Sequence, residues 1–442
     1  MTPPPGRAPH DDEPDSYLPG HGDRGYQVLH YDLELDYRVD ANHLTGRARI
    51  AIRTLVPRSD LSLDLVGLRV QKVTVVGRRA IRFSHRAGKL KIWLGREVPA
   101  GTELELDVRY AGRPRTLRSQ WGEVGWEELT DGVVVASQPS GSPSWFPCND
   151  RPDDKAVYTM RITTDTAYHV VANGTLTDRG SRGGRTCWQF EQEQPMATYL
   201  ASIHIGRYDE VTLTEEPVLQ SAAVPARLRA RFDVEFARQP EMMAVFCDLF
   251  GPYPFDAYAV VVTDDDLEIP LEAQGLSIFG ANHVNARGTY ERLIAHELSH
   301  QWFGNSLTVA RWRDVWLHEG FACYSEWLWS ERSGGRSADA LARDHLRRLR
   351  ALPQDLVVAD PGPALMFDDR LYKRGALALH ALRLHLGDVP FFEMLRTWVE
   401  FHRYGTVTTE DFVEHAMRRG SGVLALLDAW IWRREVPSLP TP

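Results

Sequence analysis

The sequence predicts a multidomain protein, with an N-terminal antiparallel β-sandwich or saddle-like domain followed by an α+β domain. Three observations lead there. Short polar–apolar alternating runs dominate up to about position 210, helical periodicity dominates after about position 290, and the length exceeds one ordinary core. At 442 residues the chain calls for two or three domains. The expected division is a disordered tail over 1–15, a β domain over 16–210 and a second domain with C-terminal helices over 211–442.

The elements follow from local pattern. Residues 1–15 are rich in Pro, Asp and Gly and contain no apolar segment, so they read as a tail and not a secretory signal. His30-Tyr31-Asp32-Leu33-Glu34-Leu35-Asp36-Tyr37 alternates polar and apolar side chains, the pattern of a half-buried strand. Similar runs at 48–55, 70–76, 90–94 and 103–110 are separated by turn-forming Gly, Pro and Asp, as in sandwich-like folds. A further strand is expected over 226–232, then a helix over 236–250 that Gly251-Pro252-Tyr253-Pro254-Phe255 breaks. Residues 258–263 and 276–279 read as buried strands. Helices are expected around 293–300, from 316, and over 338–352, 371–386, 389–402 and 409–419, with a last short apolar helix near the end.

Composition narrows the function classes. Hydrophobic content of 43% and charged content of 25% are those of a soluble globular protein. A net charge of -9 gives no support for nucleic-acid binding. No run approaches a membrane span. The four cysteines, Cys148, Cys187, Cys247 and Cys323, form no CxxC pair, so a reducing, cytoplasmic setting is expected and a disulfide framework is not.

The chemistry concentrates in His296-Glu297-Leu298-Ser299-His300. Helical residues four apart share a face, so both imidazoles can aim at one point, the arrangement a tetrahedral zinc ion needs. Glu297 lies one step around the helix, close enough to reach a metal-bound water without ligating. Glu319, in Trp316-Leu317-His318-Glu319-Gly320-Phe321, can add an oxygen ligand. A solvated surface helix is the alternative, but Leu293, Ile294 and Leu298 give this helix an apolar face that belongs in a core. Two His, one Glu and one open position describe a catalytic zinc site. Asp314 and Glu326 are candidates to accept the ligands' second ring N–H. His318 is expected to pack nearby without ligating.

With these residues in view, the chain resembles the zinc aminopeptidases of the aminopeptidase N and leukotriene hydrolase family, from about Tyr26 to its end. Trp145-Phe146-Pro147-Cys148-Asn149-Asp150-Arg151-Pro152 is similar to the family's FPC-DEP-K segment. Phe250-Gly251-Pro252-Tyr253-Pro254-Phe255 is a second stretch, and Leu271-Glu272-Ala273-Gln274-Gly275-Leu276 is similar to GAMENWGL. Residues 296–305 (HELSHQWFGN) and 316–321 (WLHEGF) match HExxH-x18-E, and Tyr372-Lys373-Arg374-Gly375 is similar to YEKG. The resemblance implies a thermolysin-like zinc peptidase domain behind the β domain. It implies one zinc ion held by His296, His300 and Glu319, with Glu297 as general base. It implies Tyr372 as donor to the oxyanion, and Glu272 with Gln138 as the site for a free α-amine. Peptides with a free N-terminus are the implied substrates. Ile269-Pro270-Leu271 and Ala273 depart from the family around Glu272, and Glu268 offers a competing carboxylate. The chain is read as a short form without the large helical domain that usually follows. A catalytically silent scaffold of the same fold, or a hydrolase of a non-peptide substrate, are the alternatives.

Overall fold

A computed structural model describes residues 15–78 and 81–440. The tail expected over 1–15 lies outside the described residues except for Asp15. The N-terminal β-rich domain is built on a seven-stranded sheet. Its order is Thr175–Arg182, Arg185–Met196, Ala156–Asp165, Tyr26–Arg38, His43–Thr54, Glu103–Gly112 and Arg69–Val75. Tyr26–Arg38 pairs antiparallel with His43–Thr54 and parallel with Ala156–Asp165. The alternation seen in the sequence is physical. Tyr31, Leu33, Leu35 and Tyr37 are buried, whereas Asp32 and Glu34 face Arg49 at 2.6 and 2.8 Å on the other side of the pleat. A three-stranded sheet (Arg58–Asp64, Lys89–Val98, Arg82–Arg86) and a five-stranded one (His169–Ala172, Ile203–Gly206, Gly132–Ala136, Gly122–Leu129, Thr116–Ser119) complete this part.

The second, α+β domain opens on a mixed five-stranded sheet. It runs Asp209–Thr214, Leu219–Val224, Ala257–Val262, Leu276–Phe279 and, at its edge, Leu271–Ala273. Around it pack α1 (Arg229–Glu235), α2 (Gln239–Phe250), α3 (Glu291–Ser299), α4 (Trp316–Arg332) and α5 (Ala338–Arg350). Next in the chain come α6 (Asp369–Leu386), α7 (Asp388–His402), α8 (Thr409–Met417) and α9 (Val423–Leu427). One expectation is corrected here. Residues 226–232 form a 3₁₀ turn and the start of α1, and the strand is Leu219–Val224. Leu228, Phe232 and Phe236 recur every four residues and are all buried. Phe232 stacks on Phe236 at 4.5 Å, so the helical period wins over the strand reading.

Two glycines decide how closely the site helices approach. A Cβ on Gly320 of α4 would stand 2.9 Å from the Cα of Gly375 of α6, and the converse distance is also 2.9 Å. The backbones therefore touch where only glycine fits. That contact sets Tyr372, one turn before Gly375, beside Glu319. The neighbouring Arg374 is buried and spends its guanidinium on five carbonyls, those of Leu356, Trp430, Arg433, Arg434 and Glu435. Burial lowers its pKa to about 10, still charged at neutral pH. Lysine offers a point charge in place of this planar fork. Arg374→Lys is expected to cost about 2–4 kcal/mol, read as a thermal midpoint lowered by roughly 5–15 °C. An unchanged midpoint would refute the anchoring role.

The β domain also braces the site directly. Lys155 Nζ donates to the carbonyls of Asn305 and Ser306 at 3.0 Å each, and Asn173 Nδ2 donates to that of Gln274 at 2.9 Å. Trp121, on the turn after Thr116–Ser119, donates from Nε1 to the Pro363 carbonyl at 2.9 Å across the mouth of the cleft. All four cysteines are free thiols. Among the described residues no helix is long and apolar enough to cross a membrane.

Candidate metal centre and active-site cleft

The helix α3 carries His296 and Glu297 in its last turn, and His300 follows as its C-cap. Residue spacing alone puts the two imidazoles together, with ring centroids 4.8 Å apart. Glu319 enters from the first turn of α4. Its Oε2 lies 3.4 Å from His296 Nε2 and 3.6 Å from His300 Nε2. Ligands at zinc distances of about 2.0–2.2 Å in a tetrahedron stand roughly 3.3–3.6 Å apart, so Glu319 stands at the right distance to share a zinc ion with either imidazole.

Each imidazole is oriented by its other nitrogen. His296 Nδ1 meets Glu326 Oε1 at 2.8 Å, and His300 Nδ1 meets the Phe303 carbonyl at 3.0 Å. Both rings thus keep Nε2 free for a metal. Glu326 sits two turns after Glu319 on the same face of α4, which is why one helix supplies both a ligand and an orienting carboxylate. Asp314, the other sequence candidate, is turned away. It accepts from the backbone and hydroxyl of Thr409 at 3.1 and 2.6 Å. His318 does not join the donor set. Its Nε2 accepts from the Val309 N–H at 2.9 Å, and burial pushes its pKa down to about 3.

The electrostatics also call for a cation. Burial alone would lower His296, but hydrogen bonds to Glu319 and Glu326 overcome it and push the ring up to about 9. Burial raises Glu297, with the two imidazoles pulling the other way. Its Oε2 is buried without a hydrogen-bond partner among the described residues. Four buried carboxylates, Glu272, Glu297, Glu319 and Glu326, therefore surround two imidazoles. A dication is the natural complement.

The remaining predicted residues converge on the same cleft, a cavity of about 1280 Å³. Gln138 Nε2 donates to Glu272 Oε1 at 2.6 Å. Glu272, Glu297 and His300 bring one polar atom each within 4.8 Å of one another. Burial pushes Glu272 up to about 7, with His300 opposing and Glu319 and Glu297 adding to the rise. Tyr372 lies against His296, ring centroids 6.2 Å apart. Burial first, then the Glu319, Glu272 and Glu297 charges, raise its phenol, which stays a donor at neutral pH. Glu268, the competing carboxylate, is exposed on the rim.

Sequence reading missed what holds Glu272 in place. Gln301 accepts from the Gly275 N–H at 2.9 Å and donates to the Ala273 carbonyl at 3.2 Å, and Asn305 donates to that carbonyl at 2.9 Å. Gly275 turns the hairpin at φ +77°. Two buried amides just after the metal helix were the available signal. Nothing in local spacing said which strand they would grip.

Comparison with known proteins follows the same division. The Peptidase M1 N-terminal domain model matches residues 27–200, and the Peptidase family M1 domain model matches 234–430. A leucyl aminopeptidase of Saccharolobus solfataricus is 24% identical over 437 residues, covering 93% of this chain and 54% of the relative. Endoplasmic reticulum aminopeptidase 1 of Homo sapiens is 25% identical over 427 residues, covering 87% and 44%. The chain spans about half the length of the curated relatives it matches. The M1 zinc metallopeptidase of Deinococcus radiodurans is similar at nearly full length. It is 34% identical with a TM-score of 0.88, over 97% of this chain and 99% of that one. A variant of it bound to a Tyr-Ser-Ala substrate has the same TM-score at 33% identity. These neighbours are zinc enzymes, in keeping with the donor set found here. With this likeness in sequence and fold, the chain belongs to peptidase family M1.

Proposed function

We propose that the protein is a zinc-dependent aminopeptidase that removes N-terminal residues from peptides, with one zinc ion per chain. The observation that carries this reading is the Gln138–Glu272 pair. It is a buried carboxylate set beside Glu297 and His300, poised to neutralise a substrate ammonium. Similarity to leucyl aminopeptidase and to a metallopeptidase bound to a tripeptide supports it. The free thiols support a cytoplasmic setting. The β domain and peptidase domain are taken to divide near residue 210.

His296, His300 and Glu319 would hold the zinc, which would supply Lewis acidity to the scissile carbonyl and to the attacking water. Glu297 takes the proton of the attacking water on its unpartnered Oε2, then delivers it to the leaving nitrogen. The Tyr372 hydroxyl donates to the oxygen that gains charge on the tetrahedral carbon. The edge strand Leu271–Ala273 offers backbone groups to an extended peptide, although Pro270 before it lacks an N–H. Glu272 then fixes the amine, so the bond presented to water is one residue from the end.

Aminoacyl-coumarins and N-acetylated counterparts test this directly. Free amines are expected to be cleaved and acetylated ones spared. Metal analysis is expected to give one zinc per chain, and chelation should abolish turnover. Glu272→Gln should lower kcat/KM on free amines roughly 10- to 100-fold, the loss of a charge-assisted hydrogen bond. Equal turnover of acetylated substrates would refute the aminopeptidase reading.

A further inference from the structure

One stretch of chain before the first strand ties three segments that lead into the cleft. Asp15 Oδ2 accepts from the Trp312 N–H at 3.0 Å, just before α4 and its Glu319. Tyr17 donates its hydroxyl to Asp360 Oδ1 at 2.5 Å and accepts from the Gly362 N–H at 2.7 Å, on the loop before α6 and its Tyr372. His21 Nδ1 meets Asp150 Oδ2 at 2.9 Å, and the same oxygen takes the Ser140 hydroxyl at 2.6 Å, two residues beyond Gln138. We propose that residues 15–21 are a strap around the cleft and that Tyr17 is its positioning residue. The Tyr17 hydroxyl fixes the backbone at Gly362 and Pro363, against which Trp121 closes the mouth.

The relay is short. Gly362 sits at φ +77° and precedes Pro363, whose carbonyl takes the Trp121 Nε1–H at 2.9 Å. Pro363 has no N–H of its own, so the Gly362 N–H is the donor just upstream that can hold this turn. Trp121 also packs edge-on against Phe367 at 6.1 Å, and both rings line the cleft. Onward from Gly362, its carbonyl accepts from the Leu365 N–H and the Leu365 carbonyl from the Asp368 N–H, both at 3.1 Å. Asp368 then caps α6. Tyr17 suits the anchoring role. Its ring is 4% exposed and packed in the core. Burial first, then the bond to Asp360, raises the phenol, which stays a donor at neutral pH. Its hydroxyl bonds Asp360 and Gly362 and not the hairpin that carries Trp121, so its hold on Trp121 runs through Pro363.

The helix α6 has a second hold, since the Gly320–Gly375 crossing fixes it from the α4 side. Loosening the strap should therefore spare Tyr372 and the metal ligands and fall on the mouth of the cleft. The expected defect is one of substrate binding. A tyrosine that only stabilised the fold would behave differently. Its loss would lower the folded fraction, and with it the apparent kcat at constant KM.

Tyr17→Phe keeps the ring and removes only the hydroxyl. In the zinc-loaded protein it is expected to raise KM on aminoacyl-coumarins roughly 3- to 10-fold, the scale of one lost hydrogen bond, with kcat within about twofold. Trp121→Phe, at a half-buried position, breaks the same bridge from the other side and should raise KM alike. The double variant should match the worse single variant, because either change opens the one bridge. Hydrogen exchange tests the relay without substrate. Amides over 362–368 and over 116–124 should both exchange faster in Tyr17→Phe, and those over 362–368 should do so in Trp121→Phe. KM effects that multiply in the double variant, or exchange over 116–124 that Tyr17→Phe leaves unmoved, overturn the strap. So does a lower kcat at unchanged KM, which would make Tyr17 a packing residue. Only the kinetic arm rests on the aminopeptidase reading. If the unsubstituted zinc-loaded protein turned over no aminoacyl-coumarin, that reading would fall, and the exchange arm would still decide the strap.

Discussion

Glu297→Gln is expected to reduce kcat/KM on aminoacyl-coumarins by roughly 10²–10⁴-fold while the zinc content stays unchanged. The substitution keeps size and shape and removes only the ability to take a proton. Metal retention follows because Glu297 is absent from the His296, His300, Glu319 donor set. Its Oε2 has no hydrogen-bond partner among the described residues, so no structural contact of that atom is lost. The burial that raises its pKa matters in the same way. A base that is too acidic would hold the water's proton weakly, and the raised value moves it toward working pH. Full activity with zinc present would refute the assignment. Loss of zinc along with activity would show a ligand role instead.

Much of the site was legible because helix geometry is a backbone property. Residues four apart on α3 had to share a face, and Glu319 arrived on a second helix whose register the WLHEGF run fixed. The same logic placed Glu326, seven residues on, as one of two candidates to orient an imidazole. It could not exclude Asp314, whose partner Thr409 lies 95 residues away in sequence. The strand over 226–232 failed because an apolar spacing of four was read within too short a window. The Gly320–Gly375 contact and the grip of Gln301 and Asn305 on the Glu272 hairpin are both tertiary. Each joins segments whose local patterns say nothing of one another, so packing alone could reveal them.

Tyr372→Phe is expected to cost roughly 10²–10³ in kcat, with KM changed little and zinc retained. The ring would still pack parallel to His296, at an interplanar angle of 16°, so shape is kept and only the hydroxyl goes. Burial first, and then the surrounding carboxylates, raise the phenol's pKa well above its ordinary value. The group therefore donates across the whole neutral range, and the variant's pH profile should be lowered without change of shape. Phenylalanine cannot stabilise charge that appears only when water adds to the carbonyl, so the loss should fall on kcat. This separates Tyr372 from Glu272, which holds an ammonium already present in the bound substrate and whose loss should raise KM. If Tyr372→Phe raised KM alone, the hydroxyl would be binding substrate and not the oxyanion. If it changed neither constant, Tyr372 would be a packing residue of α6, set by the Gly375 crossing and without a chemical role.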